Sequence, residues 1–211
     1  GHDRVYARRG AGDMQPVEAR FDDESHLERL LRRVLAQNGI VWDSADPFVE
    51  AGLTIGERPA RITATGAPYS PALHINLRLH PAQPPTLESL IAAGMLDEEA
   101  ARWLRAIVEA GHGLMIAGES GSGKTSLLQA LIPALPGPSV TVERARELRP
   151  PDHFRRLAAT DPDAAGFAGQ IQAGMEPPVN WLVLDEVRFD ESAAMWEAIT
   201  ADHRPRLLWA F

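Results

Sequence analysis

The octapeptide Gly118-Glu119-Ser120-Gly121-Ser122-Gly123-Lys124-Thr125 constrains this chain more than any other stretch. It matches the pattern G-x-x-x-x-G-K-[ST] in full, and its setting restricts the fold. The apolar run Leu114-Met115-Ile116-Ala117 leads directly into it, and Ser126 to Leu131 reads as a helix that Pro133 ends. Strand, glycine loop and helix form the unit in which backbone N–H groups turn inward around phosphate oxygens while the helix adds its positive end. On this reading Gly118, Glu119, Ser120, Gly121, Ser122, Gly123, Lys124, Thr125 and Ser126 cradle a polyphosphate. Lys124 reaches the β- and γ-phosphates, and the Thr125 hydroxyl holds Mg²⁺. ATP with Mg²⁺ is the expected ligand. The competing interpretation, a Gly/Ser-rich surface turn, accounts for neither the strand before the loop nor the helix after it.

Two later segments repeat the strand pattern and end in acids: Ser139-Val140-Thr141-Val142 before Glu143, and Trp181-Leu182-Val183-Leu184 before Asp185-Glu186. Acids at the carboxyl ends of buried parallel strands suit an open α/β sheet, which binds ligands at that edge. Asp185 is expected at the metal, Glu186 as the base that polarises an attacking water, and Glu143 as support for the metal or the water. An acidic pair that merely opens a loop is the plain alternative.

Composition narrows the function classes. The 21 basic residues include a single lysine, Lys124, so a compact ammonium stands only in the phosphate loop. The net charge of -8 disfavours general nucleic-acid binding, which needs a basic face. With no cysteine the chain has no disulfide, thiolate metal site or cysteine nucleophile. No apolar run approaches the roughly 20 residues of a membrane span, and the Arg-rich start is followed by no apolar stretch that would make it a signal peptide. A cytoplasmic protein, at most peripheral to a membrane, is expected. Gly1-His2 without a Met reads as a tag remnant.

The chain divides at Pro81-Ala82-Gln83-Pro84-Pro85, a stiff extended joint, into residues 1–85 and 86–211. In the first part Ser25-His26-Leu27-Glu28 has capping-box spacing, and Leu27, Leu30, Leu31, Val34 and Leu35 form the apolar face of a helix ended by Gly39. Strand-like segments at Val49 to Leu53, Arg61 to Thr65 and Leu73 to Leu79 suggest a small antiparallel sheet. In the second part Thr86 and Asp97 cap two helices ahead of the phosphate loop. Trp42, Trp103, Trp181 and Trp196 lie on apolar faces and are expected in the core.

The chain resembles the ATPases of type II and type IV secretion systems and their pilus relatives, on more than the phosphate loop. Val140-Thr-Val-Glu143-Arg-Ala-Arg-Glu147-Leu148 is similar to that family's acidic box, and Leu184-Asp-Glu186-Val-Arg188-Phe-Asp-Glu191 to its Walker B element. Phe21 to Leu35, Gly56-Glu-Arg58 and Ile75-Asn-Leu-Arg78 follow the order of its N-terminal domain. The resemblance implies a RecA-like P-loop NTPase domain with a parallel sheet, preceded by a small α+β domain. It also implies arginines, here Arg58 and Arg78, that help enclose the nucleotide. Six subunits would form a ring on inner-membrane secretion or pilus platform proteins, with hydrolysis driving the motion, and further C-terminal helices would follow. The pattern is broken at four places. Arg144 replaces the second acid of the acidic box, Asp185 replaces the glycine before Glu186, Ala173 to Pro178 lacks an arginine, and only Thr200-Ala-Asp-His203 remains of the His box, where His203 keeps the family position. A degenerate nucleotide-binding scaffold with little hydrolysis is therefore the second reading. A small-molecule kinase is a third, which the N-terminal domain argues against.

Overall fold

The computed structural model describes residues 2–10, 12–43, 48–158 and 166–211; Gly1 of the expected tag remnant lies outside them. The chain divides into two compact units, Gly1–His80 and Pro81–Phe211.

In the first unit a short antiparallel pair, β1 (Val5–Ala7) and β2 (Gln15–Val17), precedes helix α1 (Glu24–Gln37). The pair was not foreseen, since three-residue strands with Pro16 in one of them carry no periodic signal. Helix α1 starts earlier than the Ser25 spacing suggests. The Asp23 carboxylate accepts the His26 N–H at 2.6 Å and caps the helix, which leaves Ser25 inside the first turn. The Glu24 carboxylate accepts the N–H of Leu73 at 2.7 Å instead. Strands β3 (Val49–Ile55), β4 (Arg58–Thr65) and β5 (His74–Leu79) make an antiparallel sheet in that order. Alternate residues Ala60, Ile62 and Ala64 of β4 face inward and pack with Ala51, Leu53, Leu31 and Leu35. That alternation makes a one-residue register slip costly, because it would carry every buried side chain of β4 to the other face.

The second unit begins with α2 (Leu87–Ala92), whose Thr86 and Ser89 form a reciprocal capping box, and α3 (Glu98–Glu109), capped by Asp97. There follow β6 (Leu114–Ile116), α4 (Lys124–Leu131), β7 (Ser139–Glu143), β8 (Arg155–Ala158), α5 (Phe167–Gly174), β9 (Trp181–Leu184), α6 (Ser192–Thr200) and β10 (Arg206–Ala210). The five strands are all parallel, in the order β6-β10-β9-β7-β8. Strand β9 shows why the sheet is covered on both faces. Trp181 and Val183 join one apolar cluster with Leu128, Leu131 and Leu208, while Leu182 and Leu184 join another with Phe167, Ile171 and Ala198. Trp42 and Trp181 are buried, but Trp103 and Trp196 are 64% and 68% exposed, so their apolar neighbours in sequence misplace them in the core. The joint residues are tied to this unit, with the Arg149 guanidinium donating to the carbonyls of Pro81 and Ala82.

Candidate functional site

Sheet register brings the functional segments to one edge. Ile116 of β6 pairs with Ala210 of β10, Trp209 with Leu184 of β9, and Leu184 with Val142 of β7. The segments that leave these carboxyl ends, the loop from Gly118, the turn at Asp185-Glu186 and the loop from Arg144, therefore emerge side by side. Strand β10 lies between β6 and β9, so the phosphate loop and the Asp185-Glu186 turn are separated by one strand width of about 4.8 Å on either side.

Within the loop Gly121 and Gly123 have φ of +82° and +94°, a backbone that only glycine adopts at little cost. A Cβ on Gly123 would also stand 2.7 Å from the Met95 methyl. Ser122 N–H closes a turn on the Glu119 carbonyl at 3.2 Å, and α4 starts immediately at Lys124 with Gly123 as its N-cap. The first N–H groups of α4 have no helical acceptors and point out of its N-terminus. The Lys124 ammonium donates to the loop carbonyls of Gly118 and Glu119 at 2.7 and 3.0 Å. It is thus folded back onto its own loop.

Sixty residues apart in sequence, Thr125 and Asp185 meet: the hydroxyl donates to a carboxylate oxygen at 3.0 Å. Asp185 is buried, and its pKa is pushed up to about 7, first by desolvation and then by the negative charge of Glu147, with Glu143 and Glu186 adding to it and the Thr125 hydroxyl opposing. A site in which one hydroxyl and one carboxylate adjoin several further acids suits a hard divalent cation. Among the described residues no group of three or more metal-ligating side chains occurs. Mg²⁺ held mostly by phosphate oxygens and water needs only one or two protein ligands, so Thr125 and Asp185 fit it.

The other expected acids differ in surroundings. Glu143 is fully buried, its oxygens accepting from Thr141 and Arg156 on one side and from the Leu148 N–H on the other. Burial pushes its pKa up, against the pull of Arg156. Arg156 also donates to the Leu148 carbonyl at 2.8 Å, so Glu143 closes the loop 144–148 on itself. Glu186 is half exposed and accepts from the Arg188 guanidinium at 2.8 Å, with a backbone φ of +61°. Ser120 and Ser126 lie in the loop and the first turn of α4.

Arg58 and Arg78 belong to the first unit. Arg58 opens β4 and donates to the His80 carbonyl at 2.9 and 3.1 Å. Arg78 is exposed on β5, opposite Arg61, whose charge is paired with Glu50. His203 precedes β10 and so sits at the amino edge of the parallel sheet, opposite the edge that carries the phosphate loop. Its place in a sequence motif does not bring it to the site, because a parallel strand separates its two ends by its own length.

A family model described as Type II/IV secretion system protein matches residues 47–206, most of the chain. This protein belongs to the type II/IV secretion system protein family. It is 30% identical over 213 residues to a Mycobacterium tuberculosis (strain CDC 1551 / Oshkosh) protein named provisionally as a conjugal transfer protein, covering 95% of this chain and 60% of that one. Over 110 residues it is 31% identical to the type IV secretion system protein PtlH of Bordetella pertussis (strain Tohama I), covering 48% of this chain and 32% of PtlH. It therefore spans no more than about 60% of the length of these relatives. Among solved structures it resembles the Legionella pneumophila ATPase DotB, with a TM-score of 0.64 at 17% identity, over 99% of this chain and 59% of DotB. The pilus retraction motor PilT, solved with bound ADP, gives the same TM-score and identity over 100% of this chain and 63% of PilT. These likenesses establish the fold as RecA-like α/β, in agreement with the five-stranded parallel sheet.

Within this secretion family member, Glu147 is the site residue to which the sequence reading gave no role. Its charge is the largest ionic influence on Asp185. The signal was present in the Glu147-Leu148 end of the acidic box, but the sequence alone does not give this acid's charge an influence on Asp185 greater than that of the buried Glu143. The second unforeseen residue is Arg144, whose guanidinium donates to the Glu186 carbonyl.

Proposed function

We propose that this protein binds MgATP at the Gly118–Ser126 loop and hydrolyses it as the motor subunit of a type II or type IV secretion or pilus assembly system. The observation that carries the reading is the 3.0 Å contact between Thr125 and Asp185, which joins the phosphate loop to the second acidic element. Loop amides and the N-terminus of α4 bind the phosphates, and Lys124 exchanges its loop carbonyls for phosphate oxygens. Thr125 and Asp185 would hold Mg²⁺, which would supply neutralisation of phosphate charge. Glu186 takes the proton of the attacking water, and Glu143, which holds the 144–148 loop through Leu148, supports the metal side of the site. Arg58 and Arg78 help enclose the nucleotide, the working form is a hexameric ring, and its place is the cytoplasm, against inner-membrane platform proteins. Family membership, the RecA-like fold and the absence among the described residues of a helix long and apolar enough to cross a membrane support this reading.

The test is steady-state phosphate release together with calorimetry on the full chain. Glu186→Gln should bind MgATP as wild type does and lose about 10²- to 10⁴-fold in turnover, whereas Lys124→Ala should lose binding. A second reading, a nucleotide-binding scaffold, is favoured by the Arg188 guanidinium that occupies the Glu186 carboxylate. It prevails if wild type and Glu186→Gln bind ATP and are equally inert.

A further inference from the structure

We propose that Arg144 is a positioning residue that holds the catalytic turn, fixing the backbone from which Glu186 projects. The inference rests on the hydrolytic role of Glu186 given above. Arg144 leaves the end of β7, and the turn leaves the end of the adjacent β9, so the two are neighbours by register. The Nε of Arg144 donates to the Glu186 carbonyl at 3.2 Å, and its Nη2 donates to Glu191, whose side chain is 5% exposed. The other oxygen of Glu191 accepts the N–H of Arg188. The peptide on each side of Val187 is therefore held, the Glu186 carbonyl by Arg144 and the Arg188 amide by Glu191.

This grip falls where the backbone requires one. Glu186 carries a Cβ at a φ of +61°, a conformation that persists only when its surroundings impose it. Two other bonds bracket the turn: Asp185 N–H donates to the Val142 carbonyl at 3.1 Å, and Val187 N–H to the Ala210 carbonyl at 2.9 Å. The second of these holds the N–H side of the planar peptide whose carbonyl belongs to Glu186, and Arg144 holds its oxygen side. A guanidinium also ties that oxygen to Glu191, because Nε and Nη2 lie on one edge of a rigid plane and reach two acceptors at once, which an ammonium does not. The plane is itself fixed, with the Arg144 carbon centre 4.5 Å from the Phe167 ring centroid. A simple buried ion pair would use the Glu191 contact alone.

The test compares wild type, Arg144→Lys and the double variant Arg144→Met/Glu191→Gln in the full chain. The double variant leaves no uncompensated buried charge and keeps an acceptor for the Arg188 amide, so it is expected to fold. Its amides at 185–191 should exchange about tenfold or more faster than in wild type without nucleotide. Its kcat should fall about 10- to 100-fold while the affinity for MgATP stays within about threefold. Arg144→Lys, which meets only one of the two acceptors, should lie between. A folded double variant with wild-type exchange in the turn, or with undiminished kcat beside an active wild type, overturns the inference alone. An inert wild type overturns the hydrolytic reading and the catalytic part of this one with it.

Discussion

At the scale of single residues, the least ordinary group is Asp185. Its carboxyl titrates near 7 in the fold against an ordinary value of 3.8. Between those values the native chain holds a proton that the unfolded chain releases. The stabilisation it contributes is complete below about pH 4 and is lost as pH rises through about 7. Asp185→Asn keeps a neutral acceptor for the Thr125 hydroxyl. In metal- and nucleotide-free solution it should stabilise the protein at pH 8 by up to about 4 kcal/mol, since a tenfold change in proton affinity corresponds to about 1.4 kcal/mol, and the gain should fade toward pH 4. Urea titrations at the two pH values check this, and an equal effect at both would place the source elsewhere. The mutation should at the same time weaken Mg²⁺-dependent nucleotide binding, so that the change that helps the empty fold harms the loaded one. Glu147 enters the site by the same logic: its identity was written in the acidic box, but its influence on Asp185 was not.

At the scale of elements, the clearest constraint is the packing of α5 on the sheet. Gly174 ends that helix, and a Cβ there would lie 2.7 Å from the Leu182 Cδ1, within reach of Val142 and Val140. Leu182 is fully buried and has little room to yield. Gly174→Ala should therefore destabilise the protein by about 1–3 kcal/mol from overpacking, of which helix propensity returns at most about 1. Thermal unfolding measures the balance, and a raised Tm would show that Leu182 repacks freely. This element also shows where local reading stops. Helices α2 and α3 were legible because Thr86 and Asp97 announce them, and β7 and β9 because apolar runs end in acids. Helix α5 opens with Gly166 and has no side-chain cap, and β8 carries two arginines at the edge of the sheet. Neither has a local signature, since each is held in place by what it packs against.

At the scale of the whole molecule, the first unit's apolar cluster shares no residue with the two clusters of the second unit, which predicts separable stabilities for the two units. Leu35, fully buried between α1 and the three-stranded sheet, packs only within the first unit's cluster. Leu35→Ala should cost about 2–5 kcal/mol there, with faster amide exchange in α1 and β3 to β5 and unchanged protection in β7 and β9. Equal loss of protection in both units would show a single cooperative core. The glycine loop at 118–125, the strand before it, the helix after it and the acids at strand ends were all legible in the sequence alone, because each depends on residues a few positions apart: backbone freedom at glycine, apolar runs, side-chain caps. The units, by contrast, divide after His80 and not after Pro85. Tertiary structure alone decided that β10 lies between β6 and β9, that Thr125 meets Asp185, that His203 sits at the far edge and that Arg144 grips the turn of Glu186. Those facts rest on parallel pairing between distant segments, and the order in which strands enter a sheet is set by the burial of both its faces rather than by any short stretch of chain.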